Sequence, residues 1–315
     1  IGTTPIMQQL FELLRTVAAT SSTVLITGDT GTGKELAARA IHDASPRRSH
    51  RFMAINCSAI PETLLEAELF GHVRGAFTGA VANRPGRIEQ ANRGTLFLDE
   101  VGTMSAGLQS KLLRVLQSRE FERVGDSQTI KVDVRVIAAT NSDLKRMVET
   151  GTFREDLFYR LNVIPVRLPS LRERRPDIPL LAQYFLDRLA AQADPPRGRV
   201  MLSQDAQQAL MPYAWPGNVR QLENVIERAF ALSPGRSQIT ASDLPDEVRQ
   251  AGAAAVTTDV AIPDDGLDLE RLVSEFEHGL IRRALERTRG NKRQAADLLH
   301  VKRTTLIEKL KRLER

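Results

Sequence analysis

Residues 22–35 read STVLITGDTGTGKE, and the fold class follows from how that stretch is taken. STVLITG (22–28) is apolar and β-branched, the composition of a buried strand. Directly after it, Gly28, Asp29, Thr30, Gly31, Thr32, Gly33, Lys34 and Glu35 lead into a helical pattern, KELAARAIHDA (34–44). A Gly-rich turn between a strand and a helix lets backbone amides wrap phosphate, and Lys34 reaches the terminal phosphates. The strict pattern has Ser or Thr after the lysine to hold magnesium, and Glu35 stands there instead. The plainer reading is a Gly-rich turn with no ligand.

Outward from this turn the first 170 residues alternate apolar runs with helical ones. FMAINC (52–57), GTLFLDE (94–100), VRVIAATN (134–141) and VIPVRLP (163–169) read as strands. AGLQSKLLRVLQSRE (106–120) and SDLKRMVETG (142–151) read as helices between them. Near-continuous apolar strands alternating with helices predict an α/β fold, a mostly parallel sheet covered on both faces. Residues 171–247 read as all-helical, a lid on the 1–170 subdomain. Residues 248–266 read as a linker, with the small-residue stretch AGAAAVTTDVAIPDDG (251–266) at its heart. A basic all-α unit, 267–315, closes the chain.

Several residues carry candidate chemistry. TLFLDE (95–100) ends a strand in two acids: Asp99 suits magnesium, and Glu100 suits orienting a water for attack on phosphorus. Two solvated acids at a strand end are the bland alternative. Thr140 and Asn141 end another strand and suit the γ-phosphate or that water, although Asn also caps helices. FREDLFYR (153–160) holds Arg154 and Arg160, whose spacing does not put them on one helical face. They suit arginine fingers from a neighbouring subunit, or merely a charged surface. Arg220, in the first turn of a helix after WPGN (215–218), opposes the helix dipole and calls for a salt bridge or a phosphate.

Composition narrows the classes. A chain of 315 residues with 42% hydrophobic and 26% charged residues is long enough for two or three domains of ordinary globular type. One cysteine, Cys57, excludes an intrachain disulfide and fits a reducing compartment. No apolar run is long enough to span a membrane, and IGTTPIMQQLFELL (1–14) is not a signal peptide. A cytoplasmic location is expected. The chain opens at Ile1 rather than Met, which reads as a piece of a longer protein with any sensory segment upstream. The last 49 residues hold 13 Lys/Arg against 8 Asp/Glu, while the first 266 hold 31 of each. All of the net +5 therefore lies in the tail, which points to an anionic partner, nucleic acid first. In that tail, LERLVSEFEHGLIRRALERTRG (269–290) is an amphipathic helix, NKRQAADLLH (291–300) a short helix capped by Asn291, and TTLIEKLKRLER (304–315) a basic helix. The pattern predicts a helix-turn-helix, with a helical hairpin for oligomerisation as the alternative.

GDTGTGKE, INCSAI, ELFGHVRGAFTGA, GTLFLDE, VIAATN, FREDLFYRL, LPSLRERRPDIP, WPGNVRQLENVIERA and the tail together resemble one family. It is the AAA+ ATPases that activate transcription by sigma-54 RNA polymerase, the bacterial enhancer-binding proteins. The resemblance covers nearly the whole chain, and GAFTGA is close to diagnostic. It implies an AAA+ P-loop NTPase with a helical lid and a Fis-type helix-turn-helix domain, using ATP and Mg2+. It implies that Gly75, Ala76, Phe77, Thr78, Gly79 and Ala80 tip a loop inserted in a helix near the sheet. Phe77 and Thr78 would touch sigma-54 holoenzyme as nucleotide state raises and lowers the loop. From composition alone, a Gly-rich surface loop with Phe77 tucked inward is the first reading.

By the same resemblance Lys34 binds phosphate, Glu35 is the usual family residue, and Asp99 and Glu100 form the Walker B pair. Asn56 looks like the switch residue that holds the catalytic glutamate, Thr140 and Asn141 like sensor I, Arg154 and Arg160 like trans-acting fingers, and Arg220 like sensor II. A hexameric or heptameric ring, dimeric when inactive, is implied. Arg303, Thr304, Thr305 and Lys309 are the expected contacts to double-stranded DNA upstream of promoters. The chain departs from the pattern at Val73, where Glu is usual and helps couple nucleotide to loop, and at Asp29, where Glu is common. His300 stands at the turn position usually held by Gly. Two other functions compete: a DNA-binding regulator that uses nucleotide as a switch, and a general AAA+ remodeller with another target. Intact Glu100, Arg154 and Arg160 weigh against the first, and GAFTGA against the second.

Overall fold

The computed structural model describes residues 1–194, 198–254, 274, 277, 279, 281–282, 284, 288, 291–301, 304–306 and 309–310. It divides into a unit of Ile1–Thr257 and a unit of Thr258–Arg315. In the first, α1 (Pro5–Ala18) precedes β1 (Val24–Thr27), and α2 (Lys34–Asp43) returns the chain to β2 (Phe52–Asn56). Helix α3 (Glu62–Phe70) runs into a ribbon of β3 (Gly71–His72) and β4 (Arg84–Pro85), then α4 (Arg87–Gln90) and β5 (Thr95–Asp99). Helix α5 (Ala106–Ser118) and a second ribbon, β6 (Glu120–Glu122) with β7 (Thr129–Lys131), precede β8 (Arg135–Thr140). Helices α6 (Leu144–Glu149) and α7 (Glu155–Leu161) lead to β9 (Ile164–Arg167).

Five of these strands form one parallel sheet in the order β2-β5-β8-β1-β9. The expected parallel sheet is thus present, and the residue pattern explains it. Alternate residues face opposite sides. Leu25, Leu96, Leu98, Val136 and Ala138 pack on one side with Leu65 and Leu69 of α3, Leu112 of α5 and Leu157 of α7. Val24, Ile26, Phe97 and Ile137 pack on the other with Leu10 and Leu14 of α1 and Ile41 of α2. With both faces covered, the central strands must be apolar throughout, which is why β5 and β8 read as unbroken hydrophobic runs. Arg135, in β8, is only 1% exposed; its guanidinium donates to the carbonyls of Val17 (2.8 Å) and Ala18 (3.0 Å), satisfying the end of α1.

The lid starts with a 3-10 turn, Leu171–Asp177, and holds α8 (Ile178–Gln192), α9 (Gln204–Leu210), α10 (Asn218–Ala231) and α11 (Asp246–Ala254) around Trp215, Leu222 and Ile226. It is not purely helical. Met201–Leu202 and Gln238–Ile239 pair as a two-residue parallel ladder, because the chain crosses the lid in extended form there and its buried amides need partners. The expected linker also starts too early: α11 continues through Ala254, held at Val248, which is fully buried in the lid core. Residues 255–266 of that linker lie outside the described residues.

In the second unit the helix Lys292–Leu298 is capped by Asn291, whose side chain accepts from the amides of Arg293 and Gln294. His300 takes the left-handed backbone expected at the turn (φ 52°), and residues 304–306 and 309–310 are helical. Ile281, Ala284, Ala295, Ala296 and Leu306 bury one another. The described residues therefore fit a helix, a turn and a second helix; most of the longer helix expected at 269–290 lies outside them.

One carboxylate joins the lid to α1. Asp177 is fully buried; its Oδ1 accepts from the amides of Thr3 (2.7 Å) and Thr4 (3.1 Å) and the Thr3 hydroxyl, and its Oδ2 from the Thr4 hydroxyl (2.6 Å). Burial pushes this carboxyl up, but its hydrogen bonds outweigh that and hold it below the ordinary range. Asp177→Ala strands those buried donors and is expected to lower stability by about 3 kcal/mol at neutral pH. Because the folded-state value is depressed, that contribution is fully present above the unfolded value of about 4 and is lost as pH falls from there through the lower folded-state value. Urea unfolding of both proteins at pH 7 and in the acid range checks this: the gap between them should narrow in acid.

Candidate active site

Parallel pairing sets three strand ends side by side. The loop after β1 carries Gly28–Lys34, β5 ends in Asp99, and β8 ends in Thr140, with β8 lying between the other two. A cavity of about 550 Å3 opens there, lined by Thr30, Gly31, Gly33, Lys34, Asp99, Glu100, Asn141 and, from the lid, Arg220, among others. The expected phosphate loop and expected acids are therefore brought together.

Within the loop each residue has a distinct task. Gly31 (φ 79°) and Gly33 (φ 98°) take left-handed backbone that a side chain would strain. The Thr32 hydroxyl donates to Asp29 O (2.8 Å) and ties the loop to itself. Lys34 is buried, and its ammonium donates to Gly28 O (3.1 Å) and pairs with Glu100 (3.2 Å). Glu35 borders the cavity, while its carboxylate pairs with Arg39 one turn along α2 (3.6 Å). Asp29 sits with Gly28 on a neighbouring cavity, and its carboxylate is 3.7 Å from Arg172.

Glu100 is held from several sides. Its backbone is left-handed (φ 55°), uncommon for a residue with a Cβ. Its carboxylate accepts from the Asn141 amide (3.0 Å) as well as pairing with Lys34. Burial and then the neighbouring Glu100 charge push the Asp99 carboxyl above its usual range. Asn56 departs from expectation. Its side-chain amide donates to Asp99 (3.3 Å), not to Glu100, because β2 pairs Asn56 directly with Asp99 while the turned backbone at Glu100 swings that carboxylate toward β8. Asn56 Oδ1 accepts from the amides of Ser58 and Ala59 and from the Ser58 hydroxyl.

The remaining expected residues divide. The Asn141 side chain reaches Thr30 of the phosphate loop (3.0 Å). Thr140 is buried and its hydroxyl accepts from Ser142 N, so it does not face this cavity. Arg220 lines it, and no salt bridge to its guanidinium is present among the described residues. Arg154 and Arg160 line none of it: Arg154 makes a two-pronged pair with Asp156 (3.0 and 2.7 Å), and Arg160 donates to Leu116 O. Both are exposed. Sequence reasoning missed Asn218, a buried amide in left-handed backbone at the start of α10, and Arg172. The signal for the first was the Pro-Gly-Asn run, taken only as a helix start.

The GAFTGA segment lies between β3 and β4, at the tip of a ribbon inserted between α3 and α4. Gly75 (φ 82°) and Gly79 (φ 100°) turn the chain, and Gly75 N donates to Ala80 O (2.9 Å) to close the loop. Thr78 is exposed and Ala80 buried. Phe77 is 39% exposed and rests edge-on against His72 (5.0 Å), so the aromatic is half-sheltered rather than tucked away. In the second unit Thr304 is exposed, Thr305 half-buried, and Lys309 is paired with Glu277 (2.5 Å); Arg303 lies outside the described residues.

A parallel sheet with a Gly-Lys loop, paired acids two strands away across β8 and a helical lid over the cleft defines a P-loop ATPase of AAA+ type. The family described as "Sigma-54 interaction domain" matches residues 1–167, "AAA+ ATPase lid domain" residues 172–260, and "Bacterial regulatory protein, Fis family" residues 272–313. The chain belongs to the Sigma-54 interaction domain family. It is 48% identical over 306 residues to the regulatory protein AtoC of Escherichia coli, covering 97% of this chain and 66% of that one. It is 50% identical over 282 residues to the Nif-specific regulatory protein of Azotobacter vinelandii, covering 88% and 53%. The crystal structure of NtrX from Brucella abortus in complex with ATP superposes with a TM-score of 0.71 at 38% identity, covering 99% of this chain and 68% of that one. The chain thus spans between half and two thirds of the length of these two relatives. No helix among the described residues is long and apolar enough to cross a membrane.

Cys57 sits behind the acids, its amide donating to Asp99 O (2.9 Å). Burial, then the charges of Asp99 and Glu100, push its thiol up to about 12. At pH 8 about one part in ten thousand is thiolate. Iodoacetamide at that pH should leave the native protein unmodified and label it fully in urea, as read by mass spectrometry.

Proposed function

We propose that this chain is the ATP-driven part of a sigma-54-dependent transcriptional activator. The observation that carries the reading is the convergence of Lys34, Asp99, Glu100 and Asn141 on one cavity beneath Arg220, in a chain that also presents Phe77 and Thr78 at an exposed loop tip. The NtrX relative solved in complex with ATP supports ATP as the ligand.

The residues suit hydrolysis. Bare amides of the loop and the Lys34 ammonium receive the phosphates, with Lys34 exchanging Glu100 for phosphate oxygens. Glu100, released and still bonded to the Asn141 amide, orients a water toward the γ-phosphate and accepts its proton. Asp99, close to Lys34 and steadied by Asn56, is suited to hold Mg2+, whose charge would offset that of the phosphates. Arg154 and Arg160 serve a neighbour: they are exposed and away from their own cavity, so the ring arrangement, hexameric or heptameric, gives them a γ-phosphate to reach. The loop at Phe77–Thr78 then works on sigma-54 holoenzyme, and the Fis-type unit holds upstream DNA through Arg303, Thr304, Thr305 and Lys309, with Lys309 leaving Glu277 to do so. This setting is cytoplasmic.

Two measurements test this. Glu100→Gln is expected to cut ATP turnover by about 100-fold or more while nucleotide still binds; unchanged turnover would remove Glu100 from its role. With ADP and aluminium fluoride, the wild type should form a stable complex with purified sigma-54, and Thr78→Ala should not. Hydrolysis without such a complex would instead favour a remodeller with another target.

A further inference from the structure

One buried side chain of the lid bonds directly to the backbone of the phosphate loop. Asn218 is 2% exposed and holds left-handed backbone (φ 50°), as does Trp215 (φ 51°) in the same turn. Its Nδ2 donates to Thr30 O in the phosphate loop (3.0 Å), and its Oδ1 accepts from Leu171 N, the first residue of the lid (2.8 Å). Its own amide closes the turn on Trp215 O (2.8 Å). The next two amides, of Val219 and Arg220, both point to Gly31 O (3.0 and 3.3 Å). The approach is so close that a Cβ on Gly31 would lie 2.3 Å from Gly217 O. Three segments distant in sequence therefore meet at a single carboxamide, and Arg220 follows two residues later, on the cavity wall.

We infer that Asn218 is a positioning residue for nucleotide: by bonding Thr30 and Leu171 together it registers the lid on the phosphate loop and so aims Arg220 into the cavity. The inference rests on the reading of Gly28–Glu35 as an ATP site. The chemistry demands an amide. One end must donate to a carbonyl and the other must accept from an amide, which Asp, Ser or Leu cannot do at both ends. The strained backbone at Asn218 persists because these bonds over-determine it.

Asn218→Asp keeps the acceptor, the size and the tolerance of left-handed backbone, but sets an oxygen against Thr30 O. Asn218→Gly keeps the backbone and removes both bonds, and serves should the first variant fail to fold. In the intact chain, either is expected to raise KM for ATP about tenfold with kcat within about twofold. Arg220→Gln should raise KM as well, and adding Asn218→Asp to it should raise KM little further, because no guanidinium is left to aim. A merely structural role would lower the melting temperature and the active fraction, hence kcat, and leave KM alone. Unchanged KM in the folded variants, or effects that multiply in the double variant, would overturn the inference while leaving the ATP site standing. A wild type that neither binds nor hydrolyses ATP would overturn the reading of the loop, and this inference with it.

Discussion

Hydrogen bonding among three parallel strands decides where everything else can stand. β8 pairs with β1 on one side and β5 on the other, so Thr27 lies beside Thr140, and Leu98 beside Ala138. In a parallel sheet all strands end on the same edge, and the loops that leave that edge share one crevice. A loop able to wrap phosphate, a pair of acids and an asparagine are thereby collected from residues 28 to 141 with no need for long reach. The same pairing buries β5 and β8 on both faces, which leaves polar chemistry only to residues at their ends. Sheet order and site are consequences of one set of bonds.

At that edge electrostatics keeps the site balanced. Asp99 and Glu100 are adjacent acids, half-buried, and burial together with the Glu100 charge raises the cost of ionising Asp99. Lys34 offsets this with an ammonium that is itself buried and would be costly alone. The left-handed turn at Glu100 separates the two carboxylates, sending one toward Asn56 and the other toward Asn141. The local strain, about 1 kcal/mol or more, thus yields two acids with different neighbours. Phosphate entering the loop would draw Lys34 away from Glu100, coupling occupancy to the freedom of that carboxylate.

Much of this was legible in the sequence. Apolar β-branched runs place all five sheet strands, the Gly-rich turn names Lys34, and the strand ends name Asp99, Glu100 and Asn141, because chemistry at a buried strand's end must come from the first polar residues there. What the sequence hid was direction. The backbone of Glu100 turns where no Gly or Asn signals it, and that turn put Asn56 on the other acid. Thr140 and Asn141 look like an equal pair, yet Thr140 is the last buried residue of β8, whereas Asn141 lies past the strand end and is exposed. The ribbons β3–β4 and β6–β7, two or three residues per strand, are too short for any periodicity. The 248–266 boundary slipped because Val248 is a core residue of the lid, a fact of tertiary packing.

Val73 stands in the stem of the GAFTGA loop, just after β3, and its backbone is engaged. Val73 N donates to Val124 O (3.1 Å) and Val124 N to Gly71 O (2.9 Å), so the stem of the GAFTGA loop is stitched to the second ribbon. That ribbon is braced by Arg123, whose guanidinium grips both oxygens of Glu89 beyond β4. The second ribbon also continues α5, which begins a few residues after Asp99 and Glu100. Backbone therefore runs without a break from the acids along α5 to the ribbon, and two backbone bonds join that ribbon to the loop. None of those bonds uses the side chain of residue 73. The connection at residue 73 is thus made by backbone donors and acceptors, which belong to every residue type but proline.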